Sequence, residues 1–385
     1  MNLNHLQTLD DFRKKAKTRL PNMVFGYIDG GAGEGLAVDR NSNAFKRILL
    51  QPRSLKDVTI RDRSKKLLGK KWKHSFGIAP MGLCNVANPK ADQLLARSAK
   101  RFGLPLCVST AASTTIEEMY RLAGENVWFQ LYMGSSKEGT FKLVDRAREV
   151  GVKNLILSVD VPAKGIRPGE IRSGFKAPFV FGSQQILDCA IHPMWSLPYL
   201  FTGVPRFAHN FGLSEGGLEF FDRNSGTRLI ADLDFLKALR ERWPGNLFVK
   251  GITDVEDAYN AIECGCTGIY VSNHGGRQLE SVPAALDLLK IIREELGQEF
   301  PILFDSGIRS GEDIIKALVL GADYVFLGRP FLFASALGRS VFIEHLIKIL
   351  DEQIDSAMAQ IGCTSLDSLD KNMIWSLKSI MYKEV

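Results

Sequence analysis

Eight short apolar runs, each followed by a stretch with helical character, recur along this chain from about residue 76. The runs are "FGIAP" (76–80), "LPLCVS" (104–109), "VWFQL" (127–131), "LILSVD" (155–160), "LFVKG" (247–251), "GIYVS" (268–272), "PILFD" (301–305) and "DYVFL" (323–327). Uninterrupted apolar runs separated by helices indicate parallel strands that are buried on both faces of a sheet. Eight such units predict an α/β fold, a (β/α)8 TIM barrel, rather than an open doubly wound sheet.

One interval breaks the repeat, because the chain between the fourth and fifth runs is far longer than a crossover requires. It predicts an insertion or lid over residues 161–230. Its central part, 176–217, is rich in Phe, Trp, Leu and Pro without a clear period, which indicates a lid, a subunit contact or a membrane contact. Around the barrel (76–350), we expect a helical segment over residues 1–75 that packs on it and a helical tail over 351–385.

Composition narrows the class of protein. Of 385 residues, 45% are hydrophobic and 24% are charged, as in a globular protein with an ample core. The net charge of +6 is concentrated in 56–73, which is typical of a solvated face; no recognition motif points to nucleic acid, and an anionic membrane remains an alternative partner. Six cysteines without a pairing pattern and a polar N-terminal stretch predict a cytoplasmic protein without a secretory signal.

Polar and ionisable residues follow most of the apolar runs at the point where each predicted strand ends. In a parallel barrel the carboxyl ends of the strands meet at one face, and chemistry takes place there. Each residue alone could be an ordinary turn residue, but their coincidence at one face predicts an active site. Together with Pro80 and Gly328, which also lie at strand ends, the residues are Ser109, Gln130, Tyr132, Ser158, Asp160, Lys250, His274, Arg277, Asp305, Arg309 and Arg329.

The segment "SNHGGR" (272–277) places a histidine and an arginine on either side of two glycines. A surface turn requires the glycines, but it does not require the histidine and the arginine. A site that removes a proton beside a carboxylate would use both, because histidine titrates near neutral pH and arginine grips carboxylates. Asp160 could be a helix cap, or it could orient the histidine.

Three basic residues at other strand ends indicate a bound anion or an activated amine. Lys250 ends the run "LFVK", where it could be a lysine at the barrel rim, a Schiff-base amine or a fixed cation beside a cofactor. Arg309 and Arg329 lie in glycine-containing turns after the last two runs, where barrels often bind phosphate. No GxGxxG or GK[ST] pattern predicts a Rossmann or P-loop nucleotide site.

With these motifs the chain resembles the FMN-dependent 2-hydroxy acid oxidases and dehydrogenases, which include glycolate oxidase, flavin-type lactate dehydrogenase and mandelate dehydrogenase. The resemblance extends over about residues 20–330, and "SNHGGRQL" is its most specific motif. In order along the chain, it is carried by "LPNMVFGYIDGGA", "RNSNAFKRILLQPRSL", "IAPMG", "WFQLY", "SVDVP", "IRSGF", "VKGI", "SNHGGRQL", "FDSGIRSGEDIIKALVLGA" and "LGRP".

The resemblance implies a role for each candidate residue. A catalytic role is implied for His274, Asp160, Tyr132, Arg277, Tyr27 and Lys250. His274 would be the base, and Asp160 would stabilise its imidazolium. Substrate contacts are implied for Tyr27, Tyr132, Arg167, His274 and Arg277. FMN contacts are implied for Pro80, Met81, Gly82, Ser109, Gln130, Ser158, Lys250, Ser272, Asp305, Gly307, Arg309, Gly328 and Arg329.

Four positions depart from the family's usual pattern without removing a catalytic group. Gly82 replaces an alanine that is typical of the oxidases, and Ala111 replaces the tryptophan of glycolate oxidase, which predicts a roomier pocket. Ser306 replaces a glycine of "DGGVR", although its backbone could serve equally well. Ile28 follows Tyr27 in place of a second tyrosine.

The predicted function is FMN-dependent oxidation of an L-2-hydroxy acid to the 2-oxo acid, by a dehydrogenase rather than an oxidase. A quinone or another acceptor would take the electrons, and the protein would be a homotetramer with a peripheral contact of 176–217 to the cytoplasmic face of the membrane. The alternatives are an aldolase-type lyase with Lys250 as Schiff-base amine, which would need no flavin, and a barrel that only binds a ligand. The polar rim argues against the latter.

Overall fold

Three helices and a hairpin precede the barrel. The computed structural model describes residues 3–176, 179–209 and 230–375. The first helix begins at a capping box, in which the Thr8 hydroxyl accepts from the Asp11 backbone N–H and the Asp11 side chain accepts from the Thr8 N–H. The elements are α1 (Leu9–Arg19), α2 (Asn22–Asp29), α3 (Leu36–Arg47), β1 (Lys65–Leu67) and β2 (Lys70–Trp72).

The β1–β2 hairpin lies in the basic segment 56–73 and seals the barrel at its amino end. Leu68 and Gly69 connect the strands, and both have the positive φ that a tight hairpin turn requires. Leu67 and Trp72 are buried in the cluster that fills the barrel, whereas the hairpin lysines point outward. The segment is therefore not only a solvated face, because its two apolar residues close the core.

Eight parallel strands form a closed barrel in the order β10–β3–β4–β5–β6–β7–β8–β9, which confirms the predicted (β/α)8 fold. The last strand pairs with the first, with Val325 opposite Phe76. The strands are β3 (Phe76–Met81), β4 (Leu106–Ser109), β5 (Val127–Leu131), β6 (Asn154–Ser158), β7 (Asn246–Ile252), β8 (Gly268–Val271), β9 (Ile302–Phe304) and β10 (Tyr324–Leu327).

Side chains from the strands divide between two cores. In β5, Val127, Phe129 and Leu131 pack outward against the helices, whereas Trp128 points into the barrel. The barrel interior is filled, mostly by large aromatic residues such as Phe248. A filled barrel has no pore, so a ligand can bind only above the carboxyl ends of the strands.

Helices cover the outside of the barrel, and several begin at the side-chain caps that the sequence predicts. Ser136, Asp254 and Ser310 each accept a hydrogen bond from a backbone N–H in the first turn of a helix. The helices are α4 (Ala91–Phe102), α5 (Ile116–Ala123), α6 (Lys137–Glu149), α7 (Pro168–Arg172), α8 (Ser183–Ala190), α9 (Pro193–Thr202), α10 (Leu233–Arg242), α11 (Val255–Glu263), α12 (Ala285–Leu296), α13 (Gly311–Val319), α14 (Arg329–Ala336) and α15 (Ser340–Gln360).

The insertion lies between β6 and β7, after the fourth barrel strand, as predicted. Segment 176–217, which has no clear period in the sequence, contains α8 and α9. Both helices expose apolar residues, and α8 buries none of its side chains, so the apolar positions of this segment do not mark a buried face. Residues 177–178 and 210–217 of that segment lie outside the described residues.

The C-terminal part departs from the expected boundary. Helix α15 runs from Ser340 to Gln360, so the predicted division at 350/351 falls inside one continuous helix. Beyond it the described chain forms two short 3-10 turns, Leu366–Ser368 and Lys371–Met373, rather than a long helix. Residues 376–385 of the predicted tail lie outside the described residues.

Candidate active site

A cavity of about 640 Å³ opens at the carboxyl ends of the barrel strands. Most of the predicted site residues line it, and Gln130, Asp160, Ser272 and Arg309 lie behind its wall. The predicted residues that line it are Tyr27, Pro80, Met81, Gly82, Ser109, Tyr132, Ser158, Arg167, Lys250, His274, Arg277, Asp305, Gly307, Gly328 and Arg329. The structure thus brings residues from α2 and from the end of each barrel strand, or the loop after it, to one site.

His274 lies in a tight turn at the end of β8. It has φ of +58°, and Gly275 and Gly276 follow with φ of +64° and +75°, which explains the two glycines of "SNHGGR". Its Nδ1 lies 3.0 Å from an Asp160 carboxylate oxygen, and its Nε2 lies 3.4 Å from the Tyr132 hydroxyl. Asp160 accepts the Nδ1 proton, which leaves the Nε2 lone pair on the side of the cavity.

The electrostatics of this pair suit a base. Burial lowers the pKa of His274, the charges of Lys250 and Arg167 lower it further, and Asp160 opposes the shift. Burial would raise the pKa of Asp160, but His274 and Lys250 outweigh it, so that this pKa is lowered overall. At neutral pH the imidazole is therefore neutral beside an ionised carboxylate.

Two arginines share a buried carboxylate that sequence reasoning missed. Glu170 Oε1 accepts from Arg277 Nη2 at 2.7 Å and from Arg167 Nη1 at 3.3 Å. Arg277 Nη1 also donates to the Tyr27 and Gly30 carbonyl oxygens. The only signal in the sequence is that Glu170 follows Arg167 by three residues, the spacing of neighbours on a helix.

Lys250 is almost fully buried and lies in a cage of acceptors. Its Nζ donates to Ser272 Oγ at 2.8 Å and lies 3.4 Å from Asp305 Oδ2 and 4.0 Å from Asp160 Oδ2. A hydroxyl group and two carboxylates thus surround Nζ, whereas a Schiff-base amine must be free to attack a substrate carbonyl. The surroundings of Lys250 therefore suit a fixed cation better than a nucleophile.

The phosphate-binding prediction fits the surroundings of Arg309 and Arg329. Burial lowers the pKa of both guanidinium groups, because their charge is costly away from water. Within the described ranges neither arginine forms a salt bridge with a carboxylate, and Arg329 donates to the carbonyl oxygens of Ile28, Gly275 and Gly30. An anion with two negative charges would neutralise the two buried guanidinium groups.

Across the barrel from Arg309 and Arg329, polar atoms near the cavity are placed to bind the ring edge of FMN. Gln130 Nε2 and Ser158 Oγ are buried without a hydrogen-bond partner, although Gln130 Oε1 accepts from Ser109. Buried polar groups without partners are rare, so they indicate that a ligand completes their bonding. With the two arginines and Lys250, these groups would hold the phosphate and the polar ring edge of FMN.

The departures from the usual pattern lie at the cavity. A Cβ at Gly82 would lie 3.1 Å from the Ala111 Cβ and 3.6 Å from the Tyr27 hydroxyl, so both small residues enlarge the same corner. Ile28 lines the cavity. Ser306 has φ of +86°, which is strained for a residue with a side chain. Sequence reasoning also missed Phe207, which lines the cavity from the far end of the insertion.

Comparisons with known proteins agree on one family. The family model for FMN-dependent dehydrogenases matches residues 16–376. (S)-mandelate dehydrogenase of Pseudomonas putida is 35% identical over 372 residues, or 96% of this chain and 94% of that protein. An L-lactate dehydrogenase of Vibrio cholerae serotype O1 is 32% identical over 94% of this chain and 97% of its own length.

Solved structures extend the agreement to three dimensions. The crystal structure of the monotopic membrane protein (S)-mandelate dehydrogenase superimposes with a TM-score of 0.91 at 35% identity, covering 96% of this chain and 99% of that chain. These matches confirm the resemblance inferred from the motifs, FMN as the cofactor and oxidation of a 2-hydroxy acid as the reaction. They lend no support to the Schiff-base lyase. The chain belongs to the family of FMN-dependent dehydrogenases.

Proposed function

We propose that this protein oxidises an L-2-hydroxy acid to the 2-oxo acid, with His274 as the base and Arg277 and Arg167 as the carboxylate-binding pair. The observation that carries the proposal is the geometry of the His274 imidazole, which is held by Asp160 at Nδ1 and faces the cavity on its other side. The direct test is anaerobic titration of the purified protein with L-2-hydroxy acids, followed by visible spectroscopy.

The residues act on the substrate from three sides. The two arginines hold the substrate carboxylate, although Glu170 already neutralises one of their charges. His274 Nε2 takes a proton from the substrate as the 2-carbon is oxidised, and Asp160 stabilises the imidazolium that forms. Tyr27 and Tyr132 line the same cavity, and the Tyr132 hydroxyl lies 3.4 Å from His274 Nε2. FMN, when bound, would accept the two electrons that the substrate loses, together with the second of the two protons.

Lys250 favours electron transfer to the cofactor. Its ammonium group is fixed by Ser272 and Asp305 and is held away from bulk water. A fixed positive charge in a poorly solvated site stabilises negative charge that develops during reaction. We assign to Lys250 the stabilisation of the reduced, anionic cofactor, as the family resemblance implies.

The lowered pKa of His274 predicts the pH dependence of flavin reduction. The base must be neutral, and it is neutral above its pKa. Because the folded protein lowers that pKa below the usual value of about 6.5, the rate should stay on its plateau at neutral pH and fall only below pH 6.5. Stopped-flow reduction across pH 5–9 measures this; an apparent pKa of the free enzyme above 7 would contradict it.

The open corner at Gly82 and Ala111 predicts the size of the substrate. Side chains larger than that of glycolate should fit, including branched and aromatic ones such as that of mandelate, the substrate in the name of the P. putida relative. Ala111→Trp should fill the corner and lower the apparent affinity for an aromatic substrate at least tenfold, with little effect on glycolate. Reduction by glycolate alone in the wild-type protein would contradict the size argument.

We further propose that helices α8 and α9 dock on an anionic bilayer. Their outer faces expose seven large apolar side chains, each between 55% and 88% exposed: Ile186, Leu187, Ile191, Met194, Leu197, Leu200 and Phe201. Monomeric soluble proteins rarely expose so continuous an apolar surface. Over the described residues, no helix combines the length and apolar character that crossing a bilayer requires. Docking would therefore be peripheral, as in the monotopic relative.

The inner side of this helix pair is fixed to the barrel, so the apolar face is presented by a rigid support. Trp195 Nε1 donates to the Val86 carbonyl oxygen at 2.9 Å, and Asp188 accepts from the Asn22 backbone and side chain at the start of α2. The net positive charge of the chain favours an anionic surface. Gly82, in place of the alanine of the oxidases, supports a membrane quinone rather than dioxygen as acceptor.

Sedimentation with anionic liposomes tests the docking surface. We expect the double variant Leu200→Glu/Phe201→Glu to lose at least 90% of liposome binding at low salt while its flavin is still reduced, because two charges cannot enter the acyl region. Ile291→Glu, which places a charge at an exposed apolar site on α12, away from this face, is the control and should bind normally. If the wild-type protein is a tetramer that does not bind liposomes, and the double variant is no longer tetrameric, the apolar face of α8 and α9 is a subunit interface.

A further inference from the structure

Ser306 is one of five non-glycine residues with positive φ in the described part of the chain. Its φ of +86° lies where a residue with a Cβ is disfavoured, and glycine would adopt this conformation without strain. Strain of this kind persists only where the surroundings hold the residue in place. A glycine at this position would keep the backbone N–H and relieve the strain. The presence of a serine must therefore be explained by its side chain.

The Ser306 hydroxyl connects the end of β9 to the turn that carries His274. It donates to Asp305 Oδ1 at 2.8 Å and accepts from the Gly275 backbone N–H at 3.0 Å. Ser272 makes a parallel connection, because its hydroxyl donates to the same oxygen and accepts from the His274 N–H. Two consecutive N–H groups of the turn are thus tied through two hydroxyl groups to one carboxylate oxygen.

Ser306 differs from the other acceptors in this turn because it comes from another strand. The His274 and Gly276 N–H groups are satisfied by Ser272 and Asn273, which belong to the same loop. The bond from Gly275 to Ser306 therefore joins the backbone of this turn directly to the β9 loop, in addition to the connection that runs through Ser272 to Asp305. His274 itself has a positive φ, so its imidazole direction depends on how firmly the turn is held.

We propose that Ser306 is a positioning residue that fixes the His274 turn against Asp305 and thereby aligns the base with the substrate. This inference depends on the proposed role of His274. A base that moves by about 1 Å can cost on the order of 100-fold in rate. Losing one tether should cost less, because Ser272, Asp160 and Arg329, which donates to the Gly275 carbonyl oxygen, still hold the turn.

Two variants separate the effect of losing the Ser306 hydroxyl group from the effect of relieving its backbone strain. Ser306→Gly removes both, and Ser306→Ala removes the hydroxyl but keeps the strain. In anaerobic single-turnover reduction, both holoenzymes should show a limiting rate about tenfold below the wild type, with FMN content unchanged and the substrate dissociation constant within twofold. The isotope effect with 2-deuterated substrate should be at least as large as in the wild type, because cleavage of the C–H bond is the step that slows.

Thermal unfolding provides the second readout, since Ser306→Gly should melt at a higher temperature than Ser306→Ala. Ser335→Ala, which removes another buried serine hydroxyl outside the site, is the control and should keep the wild-type limiting rate. A wild-type limiting rate in Ser306→Gly, or loss of FMN from it, would overturn the positioning role. If no 2-hydroxy acid reduces the wild-type flavin, the proposed function itself fails, which is a different outcome.

Discussion

Replacing His274 by alanine is expected to lower the limiting rate of flavin reduction by about 10²–10⁴-fold, because the general base is lost. The protein should still bind FMN, since His274 is not among the predicted cofactor contacts. The loss should be seen as slow reduction at saturating substrate in an anaerobic stopped-flow experiment, with an oxidised-flavin spectrum that matches the wild type.

Asp160→Asn provides an internal comparison for the base. The amide can still contact Nδ1 but carries no charge to stabilise the imidazolium, so reduction should slow by less than in His274→Ala. An amide oxygen can also accept the Nδ1 proton, so the tautomer can be kept. Near-normal reduction by His274→Ala would remove this residue from the mechanism.

Arg277→Lys should have the second-largest effect. Arg277 donates to Glu170 and to the carbonyl oxygens of Tyr27 and Gly30, and its guanidinium lies 5.2 Å from the centre of the Tyr27 ring. One ammonium group cannot make these bonds and also grip a carboxylate at two points. Losing about two charge-assisted hydrogen bonds, or roughly 3 kcal/mol, corresponds to a fall of about 100-fold in the rate at low substrate.

The loss in Arg277→Lys should lie mainly in the apparent substrate affinity. Arg172→Lys, the same exchange at an exposed position on α7, is the control and should behave as the wild type. The measurement is the concentration dependence of flavin reduction for both variants. An unchanged affinity in Arg277→Lys would contradict a carboxylate-binding role.

Much of the fold follows from local patterns. The barrel was predicted from eight apolar runs, each long enough for one strand. Strands that are apolar throughout must be covered on both faces, and few folds other than a parallel sheet with helices do this. The hairpin at Leu67 and Trp72 was not foreseen, since its short strands are surrounded by lysines that resemble a solvated face. Helices α8 and α9 were not predicted, because many of their apolar residues are exposed and so do not mark a buried face.

The candidate site was predictable where side chains follow strand ends. His274, Lys250 and Asp305 come to one face for that reason. The pairing of Glu170 with Arg277 was not predictable, because Glu170 lies on α7 and Arg277 lies on a loop more than one hundred residues later. The side-chain role of Ser306 was not predictable either, because it depends on a positive φ and on a bond between neighbouring strands.

Anaerobic titration of the purified protein with a panel of L-2-hydroxy acids tests the central claim most directly. We expect a yellow protein that releases FMN on denaturation, and a substrate that bleaches the flavin band while forming one 2-oxo acid for each flavin reduced. The D-enantiomer should leave the spectrum unchanged. A protein without flavin, or a flavin that no 2-hydroxy acid reduces while borohydride traps a substrate on Lys250, would contradict the account.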